Sequence, residues 1–263
     1  MINQIINDDC INVLRQMPND YVDMVLTSPP YDNLRNYNGT LEWSFEVFKN
    51  IANELARVLK DGGVIVWIVN DATVNGSETG TSFRQALYFK EIGLNIHDTM
   101  IWEKDTFSFP YNNLYRACFE YMFVFSKGKP KVANLIADRR NKYVGCTIHG
   151  TTRGADGNTF RKSNDKKSEV GEYGVRFNVW QLPTEKNNIT GHPAVFPLNL
   201  AKDHILSWSN KDDIVLDCFS GSGTTAVACH ELGRKFICIE KDKSYYEQSK
   251  ERLWNVQCQM KLF

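Results

Sequence analysis

Several absences narrow the classes of protein to which this 263-residue chain can belong. Its seven cysteines include no Cys-x-x-Cys pair, which disfavours a zinc site and a disulfide framework and favours reduced thiols. No apolar run approaches the roughly 20 residues that a membrane span needs, and no signal-peptide pattern opens the chain. No internal repeat or low-complexity tract is present. Together with a hydrophobic content of 42%, these absences predict a globular, cytoplasmic protein without a bound metal.

The formal net charge is zero, but the charged residues are distributed unevenly along the chain. Residues 127–176 contain twelve Lys or Arg and five Asp or Glu, so this stretch carries +7 and the rest of the chain carries −7. A positive segment on a negative body can contact phosphate groups while the whole protein stays soluble. The alternative interpretation is a solvated polar loop without a ligand.

The first informative motif is Thr27-Ser28-Pro29-Pro30-Tyr31, which follows the apolar run Val22–Leu26. Two consecutive prolines cannot continue a central strand, so they predict a stiff, extended exit from one. Their carbonyl groups remain able to accept hydrogen bonds. A pair of acceptors beside an aromatic ring suits a planar amino group, such as the edge of a nucleobase. The alternative is an ordinary Pro-Pro turn in a surface loop.

The second motif lies near the other end of the chain. The run Asp213–Leu216 leads into Asp217-Cys218-Phe219-Ser220-Gly221-Ser222-Gly223-Thr224-Thr225, and a helix-like stretch follows. The next apolar strand ends in Glu240, 19 residues after Gly221. Glycines at the mouth of a parallel sheet allow a ligand close to the backbone, and an acid about 20 residues later typically bonds ribose hydroxyls. This order predicts an adenosyl-type cofactor site, although a nicotinamide cofactor also fits.

The two motifs together resemble the DNA amino-methyltransferases, which methylate the exocyclic nitrogen of cytosine (N4) or adenine (N6). The family's catalytic signature, Ser/Asp/Asn-Pro-Pro-Tyr/Phe, is matched by Ser28-Pro29-Pro30-Tyr31, and its cofactor signature, Phe-x-Gly-x-Gly, by Phe219–Gly223. The catalytic signature comes first, which is the permuted order of the beta group. The resemblance covers nearly the whole chain apart from a variable insert.

The alternation of strands and helices predicts an α/β fold with a parallel sheet covered on both faces. The resemblance implies a Rossmann-like, seven-stranded methyltransferase sheet that is circularly permuted and carries a target-recognition insert. We expect residues 1–126 to form the catalytic part, residues 127–182 the insert, and residues 183–263 the cofactor-binding part. Leu94–Glu103 and Phe119–Ser126 are predicted to pair as antiparallel strands at the sheet edge, with residues 104–118 as a loop beside the active site.

The resemblance also implies roles for individual residues. Ser28, Pro29, Pro30 and Tyr31 are expected to be catalytic. The expected contacts to S-adenosylmethionine are Asp9, Cys10, Thr27, Phe196, Pro197, Asp217, Phe219, Ser220, Gly221, Gly223, Thr224, Thr225, Glu240 and Lys241. The candidate DNA contacts are Asn33, Arg35, Lys104, Arg139, Arg140, Lys142, Arg153, Arg161 and Lys162. For Asp9 a helix N-cap, and for Phe219 core packing, are the alternatives.

The predicted function is methylation of cytosine N4 in duplex DNA, as in restriction-modification systems. Within the family, Ser before Pro-Pro favours cytosine and Asp favours adenine, so N6-adenine methylation is the alternative. A C5-cytosine enzyme is disfavoured, because the chain has no Pro-Cys pair. A nicotinamide-dependent oxidoreductase is a more distant alternative. The partners expected are double-stranded DNA and, optionally, a cognate restriction endonuclease; monomer and homodimer are both open.

Overall fold

The computed structural model of the protein describes residues 1–30, 43–108, 113–147, 151–161, 169–184 and 196–260. The helices are α1 (Cys10–Gln16), α2 (Phe45–Val58), α3 (Thr81–Glu91), α4 (Leu198–Trp208), α5 (Thr224–Leu232) and α6 (Lys243–Met260). The strands are β1 (Gln4–Asn7), β2 (Val22–Thr27), β3 (Leu59–Val69), β4 (Thr73–Val74), β5 (Ser77–Glu78), β6 (Asn95–Ser108), β7 (Ala117–Ser126), β8 (Arg139–Arg140), β9 (Thr151–Arg153), β10 (Thr159–Arg161), β11 (Tyr173–Gly174), β12 (Val179–Gln181), β13 (Ile214–Asp217) and β14 (Lys235–Glu240).

Eight of the described strands form one sheet in the order β1-β14-β13-β2-β3-β7-β6-β12. Only β7 runs against the others, since it pairs antiparallel with both β3 and β6. The Rossmann-like α/β architecture with one reversed hairpin strand is thus confirmed. The described sheet has one strand more than expected, because the short strand β12 pairs with β6 and becomes the edge.

The hairpin β6–β7 differs from its prediction in two respects. It is not the sheet edge, because β12 covers β6 from Ile101 to Glu103. It is also longer than expected, since β6 continues to Ser108 and β7 begins at Ala117. The expected loop over 104–118 is therefore wrong at both of its ends, where cross-strand pairing extends the ladder.

Two apolar layers cover the sheet, one on each face. Helices α1, α2 and α3 pack on one face around Phe48, Trp67 and Phe89. Helices α4, α5 and α6 pack on the other face around Leu200, Val227 and neighbouring residues. Because both faces are covered, the central strands are continuous apolar runs rather than alternating ones. None of the helices within the described ranges is long and apolar enough to cross a membrane.

Local signals explain where the helices begin. The Ser44 hydroxyl accepts a hydrogen bond from the Val47 amide, which caps α2. Asp9 caps α1 in the same way through the Ile11 amide. The αL residue Gly223 precedes α5 and provides no side-chain cap, so the first amides of this helix are left for another acceptor.

The crossover helices change face at the centre of the sheet. The connection after β13 runs through α5 on one face, whereas the connection after β2 runs through α2 on the other. Strands β13 and β2 are neighbours and parallel. Their carboxyl ends therefore form a topological switch point, where open α/β sheets bind ligands.

Residues Leu135–Phe177 form a second compact unit, and the rest of the chain forms the first. We refer to these as the insert and the body. The insert contains two ribbons, β8 with β11 and β9 with β10, and none of its described residues is buried. Its order depends on polar contacts, such as the paired hydrogen bonds from Arg176 to Asp138 and the Arg139 guanidinium 4.3 Å from the Phe177 ring centre.

Candidate active site

The proline motif and the glycine motif lie side by side at the switch point. Val215 is in register with Met24, and Leu216 with Val25, so the two strands end together. Thr27 Oγ1, the last residue of β2, donates a 2.7 Å hydrogen bond to Asp217 Oδ1, the last residue of β13. The structure thus brings together two segments that are about 190 residues apart in the chain.

Asp217 is the centre of this junction. Besides the bond from Thr27, its carboxylate accepts bonds from the Phe219 amide (3.1 Å) and from Thr225 Oγ1 (2.6 Å). The side chain is 1% exposed, and burial raises its pKa to about 6 despite these three donors. Through these bonds Asp217 holds Thr27, the Phe219 amide and Thr225 in place. The direct cofactor contacts expected of Asp217, Thr27 and Thr225 stay predictions.

The corner that follows β2 is stiff and partly enclosed. Pro29 and Pro30 are buried, whereas Ser28 is half-buried. Proline fixes φ and offers no amide donor, so Pro29 and Pro30 contribute only carbonyl acceptors, and Ser28 before them adds a hydroxyl. Tyr31, which the sequence also predicts to be catalytic, lies outside the described residues.

The glycine loop (Phe219–Gly223) is held by Glu240, the last residue of β14. The Gly221 amide donates to Glu240 Oε2 and the Asp242 amide to Glu240 Oε1, both at 2.8 Å. Gly221 and Gly223 have positive φ angles of 48° and 78°, which side chains other than glycine rarely adopt. A Cβ atom at Gly223 would also lie 2.9 Å from Ser249 Cβ, so the loop needs glycine there for packing as well.

The ends of β1 and β14 meet beside this loop. Asn7 is in register with Glu240, and its side-chain amide donates to the carbonyls of Glu240 and Lys241. Lys241 Nζ lies 3.0 Å from Asp9 Oδ2. Asp9 therefore combines its helix-capping role with an ion pair, and both predicted residues lie at the same edge of the sheet as the two motifs.

Three observations test whether an adenosyl cofactor with a charged amino-acid end fits here. The Ser220 hydroxyl is buried and has no hydrogen-bond partner among the described residues. The N-terminus of α5 has no side-chain cap, which suits a carboxylate. Each Glu240 oxygen accepts one backbone amide and keeps a lone pair for a hydroxyl. The donor set fits the group, with Ser220, Thr224 and Glu240 as the residues best placed to contact it.

Other predicted cofactor residues occupy structural positions. Cys10 is buried in α1, and burial raises the pKa of its thiol to about 12. Phe219 packs against Trp43 and Trp67, with ring centres 5.6 and 6.5 Å away, which favours the core-packing alternative. Phe196 is buried in the layer beneath α4, and Pro197 occupies the N-cap of that helix.

Some of the predicted DNA-contacting side chains already have partners within the protein, and others are exposed to solvent. Lys104 pairs with the buried Glu120 at 3.1 Å, and Arg139 is held by Phe177 and by the Val175 carbonyl. These partners weaken the case for direct phosphate contacts by Lys104 and Arg139. The exposed predicted residues are Arg140, Lys142 and Arg153. Asn33, Arg35 and Lys162 lie outside the described residues, and Arg161 is described only by its backbone.

Sequence reasoning missed four residues that support the site. Arg252 of α6 donates to Thr224 Oγ1 at 3.0 Å and to Ser222 Oγ at 3.2 Å, and so braces the glycine loop. Ser249 limits the space at Gly223, Trp43 contacts Phe219, and Asn7 fixes the end of β14. Only Asn7 had a local signal, because it comes directly before the Asp8-Asp9 pair at the end of a strand.

Comparison with known proteins agrees with this geometry. Residues 22–251 match the sequence profile described as DNA methylase. The chain is 54% identical over 242 residues to orphan methyltransferase M.BamHII of Bacillus amyloliquefaciens, covering 89% of each chain, and 28% identical to DNA adenine methyltransferase YhdJ of Escherichia coli K12, covering 95% of this chain and 82% of that one. Among solved structures, PvuII DNA methyltransferase (cytosine-N4-specific) aligns with a TM-score of 0.69 and 20% identity over 96% of this chain and 90% of that one. The chain belongs to the N6/N4 DNA methylases and has the beta-group order of motifs.

Proposed function

We propose that this protein transfers a methyl group from S-adenosylmethionine to N4 of a cytosine that is flipped out of duplex DNA. The observation that carries the proposal is the position of Ser28. It lies at the exit of β2, before the buried Pro29-Pro30 corner, and Thr27 joins that corner to the glycine loop through Asp217. Within the family that the sequence resembles, serine at this position favours cytosine.

The protein's task at the amino group is to make a poor nucleophile reactive. The lone pair of an exocyclic amino nitrogen is delocalised into the ring. Ser28 Oγ and the Pro29 carbonyl accept hydrogen bonds from the two N–H groups of this amino nitrogen at fixed positions. This geometry favours a tetrahedral nitrogen and localises its lone pair. Pro30 keeps the corner rigid, and Tyr31 stacks on the base, a contact worth roughly 1–3 kcal/mol per base in single-stranded recognition.

The family uses S-adenosylmethionine, whose sulfonium supplies both the methyl group and a good leaving group when it is bound. Glu240 accepts hydrogen bonds from the ribose, and Ser220, Thr224 and the first amides of α5 bind the methionine end. Asp217 orients both segments. In-line positioning of two reactants can supply about 7–11 kcal/mol in favourable cases, so rigid placement is the main contribution of these residues.

Duplex DNA is the proposed partner, and flipping a paired base out of the helix costs a few kcal/mol. The basic insert is the proposed target-recognition region. The names of the relatives differ: several are called type II methyltransferases, whereas the 54% identical relative is called an orphan methyltransferase. We propose that methyl transfer by this chain needs no nuclease subunit.

N6-adenine methylation is the second candidate, because the 28% identical relative from Escherichia coli is named a DNA adenine methyltransferase. Both reactions need two acceptors at one amino group, so the corner serves either base. Membership of the DNA methylase family removes the nicotinamide oxidoreductase from consideration.

The deciding experiment is mass spectrometry of nucleosides. DNA from a host that lacks its own methylases is analysed with and without expression of this protein, and a Ser28→Ala variant is the control. The expected product is N4-methylcytosine, which the control lacks or forms at a greatly reduced level. N6-methyladenine without N4-methylcytosine would assign the protein to the second candidate.

A further inference from the structure

The ribbon formed by β9 and β10 sorts its residues onto two chemically different faces. Thr151 is in register with residue 161, Thr152 with Phe160, and Arg153 with Thr159. Since successive residues of a strand point to opposite faces, positions 151, 153, 159 and 161 share one face. Among the described side chains, that face (the Thr/Arg face) carries Thr151, Arg153 and Thr159, whereas the other face carries Phe160.

The turn of this ribbon is compact. The Gly154 amide donates to the Asn158 carbonyl at 2.7 Å, and Gly157 adopts a φ of 81°. Both oxygens of Asp156 accept bonds from Asn158, from its amide at 3.0 Å and from its side chain at 2.9 Å. The acidic group of the turn is therefore used to close the turn itself.

The Phe160 ring stabilises the same turn from the other face. A Cβ atom at Gly154 would lie only 2.8 Å from the edge of this ring, so glycine is what allows the ring to lie there. The ring remains 54% exposed, which shows that the contact covers only part of it. The ribbon is thus braced on its Phe160 face.

Arg153 differs from Arg139 and Arg176, the arginines of the insert whose contacts are described above. Arg139 and Arg176 hold the insert together through Phe177 and Asp138. Arg153 is exposed and makes no hydrogen bond or ion pair within the described ranges, and Thr151 and Thr159 beside it are exposed as well. A guanidinium held on a strand and left without a protein partner is suited to an external acceptor.

We propose that the β9–β10 ribbon enters the major groove of DNA with its Thr/Arg face towards the base edges, and that Arg153 recognises a guanine. The major groove, about 12 Å wide, admits a two-stranded ribbon, and the bidentate pairing of arginine with guanine O6 and N7 is the commonest specific contact there. Threonine can contact the thymine methyl group. The net charge of residues 135–177, nine Lys or Arg against five Asp or Glu, complements the phosphates that flank the groove.

This inference rests on the proposed function, so its test has one arm that does not need methyl transfer. The recognition motif of the wild-type protein is first read by sequencing host DNA with a method that detects modified bases. Purified protein is then bound to a duplex with that motif, or to a single duplex selected for binding from a random-sequence pool if no motif is found, and guanine N7 is probed with dimethyl sulfate. Arg153→Ala is compared with Lys142→Ala, which removes an exposed cation of the insert that lies outside the ribbon.

The proposal expects one guanine to be protected by the wild type and by Lys142→Ala, and to become reactive with Arg153→Ala. The same variant should relax the methylated motif at that one position by about 10- to 100-fold, whereas Lys142→Ala should weaken binding uniformly across sequences. Unchanged protection, or a uniform loss that matches Lys142→Ala, would overturn the reading role of Arg153. Absence of methylation by the wild type would instead reject the proposed function and leave the protection result to judge the ribbon.

Misfolding is distinguishable from loss of recognition. Because no described residue of the insert is buried, Arg153→Ala is expected to keep the thermal transition and the S-adenosylmethionine affinity of the wild type. Arg153→Lys is the conservative variant: it keeps the charge and loses the bidentate geometry, so it should restore affinity without restoring the base preference.

Discussion

The body and the insert are stabilised by different physics. The body has two buried apolar layers on a sheet whose central strands are inaccessible to water, whereas the insert has no buried residue among those described. Burial of apolar surface is the dominant favourable term in folding, and exposed polar contacts contribute little each. The body can therefore hold atoms in fixed positions for a reaction, while the insert is held by exposed polar contacts such as the Arg176–Asp138 pair.

A pair of phenylalanine truncations measures this difference most directly. Phe48 lies in the body with ring centres of Trp67 and Phe89 at 5.8 and 5.4 Å, and Phe160 lies exposed in the insert. Phe48→Ala should destabilise the protein by about 3–5 kcal/mol, and Phe160→Ala by about 0.5 kcal/mol or less. Urea denaturation followed by circular dichroism gives both values. Equal losses would break the comparison.

The second prediction separates chemistry in the body from recognition in the insert. Ser28→Ala removes one proposed acceptor at the amino group, so the single-turnover methylation rate should fall by about 10²–10³-fold, the range found when one preorganised hydrogen-bonding group is removed from an active site. The affinities for DNA and for S-adenosylmethionine should stay within about 2-fold, an effect of roughly 0.4 kcal/mol. Rapid-quench kinetics and calorimetry give the two readouts. A rate that is unchanged in Ser28→Ala would remove the serine from the mechanism.

The third prediction uses two buried titratable groups of the body that respond to acid in opposite directions. His204 lies against Met122 and the Trp180 ring, and burial lowers its pKa to about 3. Its neutral form is favoured by folding, so its contribution to stability is complete above the unfolded pKa of 6.5 and is lost as the pH falls below it. The raised pKa of Asp217, about 6, has the opposite effect, because the fold gains stability as this group is protonated on acidification.

Between pH 7 and pH 5 these contributions amount to about 2 kcal/mol lost through His204 and about 1 kcal/mol gained through Asp217. The two groups together should therefore lower wild-type stability by about 1 kcal/mol over this range. His204→Leu should become relatively more stable towards pH 5, and Asp217→Asn relatively less stable. Urea midpoints at both pH values test this, and parallel pH profiles for the three proteins would contradict it.

The smallest expected effect concerns the ion pair of the insert. Arg176 holds both oxygens of the half-exposed Asp138 and keeps the pKa of that carboxyl below its usual range. Exposed pairs contribute about 0.2–1 kcal/mol, so Arg176→Ala should leave the global transition nearly unchanged. Limited proteolysis should instead show faster cleavage between residues 135 and 177 than in the wild type or in Arg140→Ala. A shift of the global transition as large as that of Phe48→Ala would contradict the independence of the two units.

The sequence predicted the body well because its elements carry local signals. The apolar run Val22–Leu26 predicted β2 to within one residue, since the strand spans Val22–Thr27. A short strand near 177–182 was predicted and is β12, but its place at the sheet edge beside β6 and the full length of the β6–β7 hairpin were missed. Both depend on pairing between residues such as Trp102 and Trp180 that are far apart in the chain. The insert offered no periodicity to interpret, because no face of it is buried.

The location of the candidate site was predictable from the sequence, but the contacts among its residues were not. Motif order placed Ser28 and Gly221 at one sheet edge, because the carboxyl ends of neighbouring parallel strands meet there. The hydrogen bond that joins Asp217 to Thr27, 190 positions away, is one that no local pattern could indicate. The bracing by Arg252 is likewise a product of how α6 packs.

The Thr27–Asp217–Thr225 junction has a consequence for the precision of the reaction. Two segments that share one anchor in a close-packed interior move together, so thermal displacement of one carries the other with it. In the proposed complex, the gap between the donor methyl and the acceptor nitrogen then varies less than the position of either group in space. If one of the two segments lay on a surface loop without this anchor, the two groups would move independently of each other.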